Sequence, residues 1–275
     1  MTDLGQVDPV RSALAAAVGL ARAHGVRVDD PLVLADGANL VVHLRPASLV
    51  AKAALSTHLV REPARWLARE LAVAAHLDDA GVPVVRASDL LPARVHEHDG
   101  QVVTFWEHLP HDPGAVIGPD ELGSLLRELH AALRTCTVPL PRLATPLEDV
   151  GRFLQTRGSD GMRQAFDRVR AALPDDPGQA LHGDPHPGNL LRAATGWTWA
   201  DLEDSCAGPL AWDLVCVDTS TRVDGAAALR AYGEVPDLAP WRELRRLHAT
   251  AWTCLYAERL PRHRDGAAAL LASWG

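Results

Sequence analysis

Eight consecutive residues, His182 to Asn189 (HGDPHPGN), carry no hydrophobic side chain, yet they stand between the apolar pairs Ala180-Leu181 and Leu190-Leu191. Pro185, Pro187, Gly183 and Gly188 lie within them. Proline lacks the amide N–H a helix needs and glycine loses the most backbone freedom on folding, so the run cannot be helical. It is a rigid loop, and polar groups on such a loop are displayed toward something. Whatever this chain folds into has to hold that loop.

The flanking patterns say what kind of scaffold does so. Residues 10–24 are rich in Ala and Leu and read as a helix. "PLVLADGANLVVHLRPASLVAKAALS" alternates β-branched and apolar runs around the turn signals Asp36-Gly37 and Arg45-Pro46, which predicts two or three antiparallel strands. Trp66, Leu67, Leu71, Ala74, Ala75 and Leu77 recur at helical spacing and stop at Gly81. Residues 82–109 return to strand character, with His98-Asp99-Gly100 as a turn. Beyond "PHDPGAVIGP" the pattern becomes helical. Leu122, Leu125, Leu126, Leu129 and Leu133 line one face, and 146–173 and 224–273 follow suit on either side of the loop-rich section 181–214. The expected fold class is α+β, with a β-rich N-terminal lobe over 1–108 and a helical C-terminal lobe over 109–275.

At 275 residues there is ample chain for a core in both parts. No apolar run approaches the ~18 residues that cross a membrane, and the acid-led N-terminus lacks the basic region of a signal peptide. A cytoplasmic location is the expectation. The four cysteines are scattered, which speaks for free thiols over a disulfide framework. A net charge of −8 disfavours nucleic acid and anionic membrane as partners and is compatible with a cationic ligand.

Chemistry concentrates in "LHGDPHPGNLLRAATGWTWADLEDS". Asp184 and Asn189 are five residues apart, and Asp201 follows at the end of a strand-like "WTWA". Phosphoryl transfer needs a carboxylate to accept the substrate hydroxyl's proton, then an amide and a second carboxylate to hold Mg²⁺ on the nucleotide phosphates. The run supplies them in that order. Two other readings stand beside it: a transition-metal cluster of His182, Asp184 and His186 serving a hydrolase, and a polar turn with no chemistry.

"HGDPHPGNLL" followed by "WADLED" resembles the signature of the aminoglycoside phosphotransferase and choline kinase-like family of small-molecule kinases, as do "GPLAWDLV" and "LGSLLRELHAAL". That resemblance implies a two-lobed, protein-kinase-like fold. It implies Asp184 as catalytic base, Asn189 and Asp201 as metal ligands, His182 as orienter of the loop and Asp213 as its support. Leu202 stands where the family usually has an aromatic residue, and Glu203 and Asp204 follow at once.

A kinase-like N-terminal lobe should offer a strand lysine to the α/β-phosphates, paired with a helix glutamate. The chain has one lysine against twenty-six arginines, and that lysine, Lys52, ends the apolar run "SLVAK". A compact ammonium on a flexible stem does not substitute for a planar guanidinium, nor the reverse. Glu70, inside the next helix, is the expected partner; Glu62, just before Pro63, is the rival. "LADGANLVV" would lie over the phosphates, with Gly37 and Asn39 matching the family in kind, although an ordinary hairpin turn explains it as well. "VVTFWEHLP" resembles the strand leading to the interlobe hinge, where Phe105 or Trp106 would border adenine and backbone groups of Glu107 to Leu109 would bond its edge.

The cofactors expected are therefore ATP or GTP, with Mg²⁺. The partner is a hydroxylated small molecule, foremost an aminoglycoside or other cationic antibiotic, with an amino alcohol, sugar or amino acid as the alternative. A pseudokinase that binds nucleotide without turnover is the reading outside the class. Glu203, Asp204 and Glu258 are candidate carboxylates for a cationic acceptor. Trp252 and Tyr256 are candidate stacking residues on the same helix face, four residues apart.

Overall fold

In the computed structural model, which describes residues 8–275, the chain divides by contact into two units. The first comprises Met1–Leu71 and Val85–Pro110, and the second Ala72–Val84 and His111–Gly275. The acid-led N-terminal stretch discussed above begins outside the described residues. The expected single division at 108/109 becomes a threefold crossing, because residues 72–84 group with the C-terminal unit. Among the described residues no helix is long and apolar enough to cross a membrane, and all four cysteines are free.

In the first unit, α1 (Pro9–Ala23) starts where Asp8 caps it, accepting the Val10 N–H at 3.0 Å, with Pro9 in the first turn. The sheet strands are β1 (Val28–Asp36), β2 (Asn39–Pro46) and β3 (Leu49–Ala54), then β4 (His96–His98) and β5 (Gln101–Glu107) after α2 (Pro63–Asp79). They pair antiparallel in the order β1-β2-β3-β5-β4. Ala13, Ala17, Leu20 and Ala21 of α1 pack on one face of this sheet, against Leu40, Val42, Leu44, Leu49, Ala51, Ala53, Val103 and Phe105. Small alanines let the helix lie close, and each fully buried leucine contributes about 1.5–3 kcal/mol. Strand parity then commits the opposite face to Asn39, Lys52, Thr104 and Trp106.

Residues 82–95, expected as strand, form only isolated bridges, Val84 with Trp199 and Ala87 with Trp106. Pro83 and Pro92 interrupt the stretch and cannot donate to a ladder.

The second unit is mainly helical: α3 (Pro119–Leu133), α4 (Ala144–Thr156), α5 (Asp160–Ala172), α6 (Ala211–Asp218), α7 (Gly225–Tyr232), α8 (Ala239–Arg259) and α9 (Arg264–Ala272). Its strands are short. β6 (His111–Asp112), β8 (Leu190–Ala193) and β9 (Gly196–Trp199) form one sheet in the order β6-β8-β9, and β7 (Gln179–Leu181) pairs with β10 (Cys206–Gly208). Helix α6 escaped the sequence reading because residues 211–217 are buried all round, which erases the amphipathic period.

Gly123 sets how closely α3 and α7 approach: a Cβ there would stand 2.2 Å from the Ala228 carbonyl oxygen and 2.8 Å from the Tyr232 nitrogen. Intrinsic propensity favours Ala over Gly within a helix by ~1 kcal/mol. Gly123→Ala is nevertheless expected to lower the melting temperature, and a rise would show that the helices can move apart freely. Gly37→Ala, whose Cβ would meet nothing within 4 Å, is the near-neutral control.

Candidate active site

The polar loop leaves β7 at Leu181 and re-enters β8 at Leu190, while β9 leads through Asp201 to β10, which pairs back onto β7 with Cys206 opposite Leu181. That strand pair brings the two polar segments together. A Cβ on Gly183 would lie 1.9 Å from the Asp204 carbonyl oxygen, and Gly183 has φ +90°. Only glycine serves there.

Two residues of α6 hold the loop backbone. The Asp213 carboxylate accepts the His182 N–H on Oδ2 and the Gly183 N–H on Oδ1, both at 2.9 Å. Trp212 Nε1 donates to the Gly183 carbonyl at 2.8 Å. His130, near the end of α3, bonds Asp213 Oδ2 through Nε2 at 3.0 Å and the Tyr232 hydroxyl through Nδ1 at 2.9 Å. The "ELHAAL" pattern thus places a histidine against the carboxylate that carries the loop.

His182 is wholly buried and sits edge-on to Trp199, 5.3 Å between ring centres. Burial holds its imidazole below the ordinary value, although Asp213, Asp184 and Asp201 pull the other way. Its Nδ1 accepts the Asp184 N–H at 3.3 Å, so Nε2 carries the ring proton, and that buried nitrogen has no hydrogen-bond partner among the described residues. The ring points at Trp199 while His186 spends Nδ1 on the Gly188 N–H at 2.9 Å. Among the described residues no three His, Cys, Asp or Glu side chains group as a metal site, which removes the geometric basis for the cluster of His182, Asp184 and His186.

Both Asp184 carboxylate oxygens are engaged. Oδ1 accepts Arg245 Nη2 at 2.6 Å, and His186 Nε2 lies 3.4 Å from Oδ2. Burial would raise this carboxyl, but the Arg245 charge and the His186 contact outweigh it and hold Asp184 well below the usual carboxylate range. Asn189 is buried and donates Nδ2 to the Asp184 carbonyl at 2.9 Å, which fixes the amide and leaves Oδ1 as its acceptor oxygen. Asp201 is exposed and adopts a left-handed conformation, φ 60° and ψ 59°, one Asp tolerates better than most residues. Leu202 and Glu203 beside it are buried, and the Asp204 backbone oxygen accepts the Thr145 hydroxyl at 2.7 Å. Of the carboxylates at 201, 203 and 204, Asp201 is the one presented to solvent. Asn189 Oδ1 and the Asp201 carboxylate are hard oxygen donors of the type Mg²⁺ takes.

In the first unit Lys52 Nζ bonds both Glu70 oxygens, at 2.9 and 3.0 Å, with side chains 8% and 4% exposed. Glu62 is exposed ahead of α2. Lys52 stands in one row with Val41 and Thr104, and Trp106 Nε1 donates to the Thr104 hydroxyl at 3.0 Å. Asn39 starts β2 and is buried, and Gly37 donates its N–H to the Asn39 carbonyl in the turn.

Several expected contacts are corrected. Phe105 lies in the core beneath α1 with His96 edge-on at 5.2 Å, so it does not border the face that carries Lys52; Trp106 does. Strand parity decides between the two neighbours. The Glu107 and His108 N–H groups are spent on the Arg86 and Ser48 carbonyls, and the Glu107 carboxylate pairs with Arg86 at 3.0 Å. Leu109 follows them in the connector. Glu258 is held by Arg157 at 2.5 and 3.1 Å, so its charge is answered within the protein. Trp252 is buried and donates Nε1 to Asp149 at 3.1 Å, with its ring 5.7 Å from that of Tyr256.

Sequence reasoning missed Arg245, His248 and Asp149. The signal for the first two was helical phase. In "WRELRRLHATAW", residues 245, 248 and 252 fall on one stripe, and Arg246 is turned away from it. Asp149 offered no sequence signal, because its partners His248 and Trp252 are about a hundred residues away.

The Asp213 clamp makes a direct expectation. Asp213→Asn replaces one acceptor oxygen with a donor facing donors, and hydrogen bonds to charged groups contribute about 1.5–3 kcal/mol each. Urea denaturation is expected to show a loss of about 2–4 kcal/mol. A loss below ~0.5 kcal/mol would mean that the clamp does not hold the loop.

The fold is the protein-kinase-like one of several solved structures. The microcompartment-associated aminopropanol kinase is 18% identical with a TM-score of 0.68, over 97% of this chain and 95% of that one. An amicoumacin kinase in complex with AMP-PNP and Ca²⁺ is 14% identical at a TM-score of 0.67, over 96% and 94%. A choline/ethanolamine kinase family protein from Mesorhizobium loti is 22% identical at 0.59, over 96% and 92%. No curated protein matches the chain in sequence. The model of the phosphotransferase enzyme family matches residues 31–248, and the chain belongs to that family.

Proposed function

We propose that the chain is a kinase that moves the γ-phosphoryl group of ATP or GTP to a hydroxyl of a small molecule. The observation that carries this reading is the clamped loop: Asp184 is presented on a backbone fixed by Asp213 and Trp212, with the Asn189 amide bonded to the Asp184 carbonyl. Lys52, aimed by Glu70, would meet the nucleotide phosphates, with Gly37 and Asn39 in the turn above the same sheet face. Trp106 and the Leu109 backbone would meet the base. Asp184 would align the acceptor hydroxyl and take its proton, and His182 would keep the loop in shape from beneath. Asn189 and Asp201 would hold Mg²⁺, which when bound neutralises phosphate charge.

The comparisons support a small-molecule acceptor, since the solved relatives include an aminopropanol kinase and a spectinomycin phosphotransferase bound to ADP and spectinomycin. An aminoglycoside or other cationic antibiotic is the acceptor we favour; of the candidate residues, Trp252 and Glu203 are buried, which leaves the half-buried Tyr256 and Asp204 to meet it. An amino alcohol, sugar or amino acid is the alternative. With Glu258 answered by Arg157, the acidic lining for such an acceptor is thinner than the sequence suggests.

The test is acceptor-stimulated release of ADP and of GDP, with Mg²⁺, across hydroxylated cationic antibiotics, amino alcohols and sugars. One compound class is expected to stimulate release. Asp184→Ala is expected to lose a factor of about 10²–10⁴ in turnover while nucleotide affinity stays nearly unchanged. Full turnover in that variant would remove Asp184 as the base, and absence of nucleotide binding in the parent protein would remove the kinase reading.

A further inference from the structure

Helix α8 carries three arginines close together, and two of them are occupied at the surface. Arg242 forks onto Asp218 at 2.6 and 3.1 Å. Arg246 bonds the Ser273 carbonyl and hydroxyl at 3.0 and 2.8 Å and lies over Trp274. Arg245 alone turns toward the loop. Its guanidinium stands 5.7 Å above the Trp212 ring, on the residue that also bonds the Gly183 carbonyl. Arg245 is 18% exposed and Asp184 21%, so the pair is largely shielded from water.

The manner of the contact is informative. A guanidinium has five N–H donors in a planar fork and meets a carboxylate best with two of them. Here a single bond is made, from Nη2 to Oδ1 at 2.6 Å, and Arg245 has no other hydrogen bond among the described residues. Asp184 is not gripped side-on; one edge of the fork is anchored and the remaining donors stay available beside the carboxylate. A catalytic base sits within about 3 Å of the attacking oxygen, and that oxygen approaches phosphorus to about 3–3.5 Å before reaction. The unbonded donors of an arginine anchored at the base are therefore on the side of the site where the phosphorus under attack would arrive.

We propose that Arg245 contacts the equatorial oxygens of the phosphoryl group in flight, as an arginine supplied in cis. The inference rests on the kinase reading given above and adds a catalytic residue to it. In the step, the acceptor oxygen forms a bond to the γ-phosphorus while the bond from that phosphorus to the β,γ-bridging oxygen breaks. The electron pair leaves with the nucleoside diphosphate, and the hydroxyl proton passes to Asp184 and on to solvent. The transition state is loose, so charge spreads over the three equatorial oxygens and little is asked of the base. This explains how a carboxylate weakened as a base by its arginine neighbour still serves. Asp184 chiefly aims the hydroxyl, while the neighbour meets the charge that develops.

The experiment needs no knowledge of the acceptor, because water can take its place. Slow nucleotide hydrolysis is measured for the full chain with Mg²⁺, beside affinity for ADP alone and for ADP with aluminium fluoride, a mimic of the transferring group. Arg245→Gln is expected to lower hydrolysis by about 10²–10³-fold, to leave ADP affinity within about threefold, and to lose the extra affinity conferred by aluminium fluoride. Asp184→Asn is expected to lose hydrolysis but keep that extra affinity. Arg245→Lys, which restores charge without the fork, is expected to recover about a tenth of the parent rate, and guards against a variant that merely misfolds. If Arg245→Gln kept the aluminium fluoride effect and lost only what Asp184→Asn loses, the arginine would be a positioning residue for the base and the proposal would fall. A parent protein that bound ADP and hydrolysed nucleotide, with Arg245→Gln its equal, would overturn the inference and leave the kinase reading standing. A parent that did neither would overturn both.

Discussion

One buried carboxylate organises the catalytic half of the chain. Asp213 has no exposed surface, and its two oxygens gather the His182 amide, the Gly183 amide and the His130 ring. A carboxylate taken out of water is costly unless such donors replace its hydration. The replacement here comes from two places in the chain, the loop and α3, so both are tied to α6 at a common point, and α7 joins through Tyr232. Strands β7 and β10 have three residues each, too few for their ladder to fix a loop of this length. Side-chain to backbone bonds do it instead.

That division of labour explains what could be read from the sequence. The loop was legible because composition alone forbids helix over His182–Asn189, and Lys52 because it stands alone among arginines. The strands of the first unit and the helices of the second were legible from their periods. Side-chain direction was harder. Phe105 and Trp106 are adjacent and equally aromatic, and only the pairing of Ala51 with Phe105 and of Val50 with Trp106 sends one beneath α1 and the other to the lysine face. The sequence holds many arginines, and helical phase groups Arg245 with His248 and Trp252 without naming its partner, Asp184, sixty-one residues away. Long-range pairing is what the chain's linear order hides.

The same holds for charge. The net excess of acid suggested carboxylates available to a cationic ligand, but Glu258, Asp218 and Glu243 each face an arginine. Exposed pairs of this kind contribute little to stability, about 0–1 kcal/mol each. Their effect is on potential: they cancel the field that a bare count of acids implies. Around the loop the pattern differs. Burial holds the His182 imidazole below its ordinary value against the pull of Asp213, Asp184 and Asp201, and Arg245 is the guanidinium that Asp184 meets directly.

The solitary lysine has a consequence beyond nucleotide chemistry. Reagents and enzymes that modify amines work on exposed, unprotonated ε-amino groups, and this chain offers them one side chain, 8% exposed and engaged by a carboxylate. Acylating crosslinkers, fluorophore esters and lysine-directed conjugation would find the folded protein's side chains almost inert. A reactive acyl group carried on a ligand that reaches Lys52, by contrast, has a single side-chain amine to choose. The composition turns the lysine into an address.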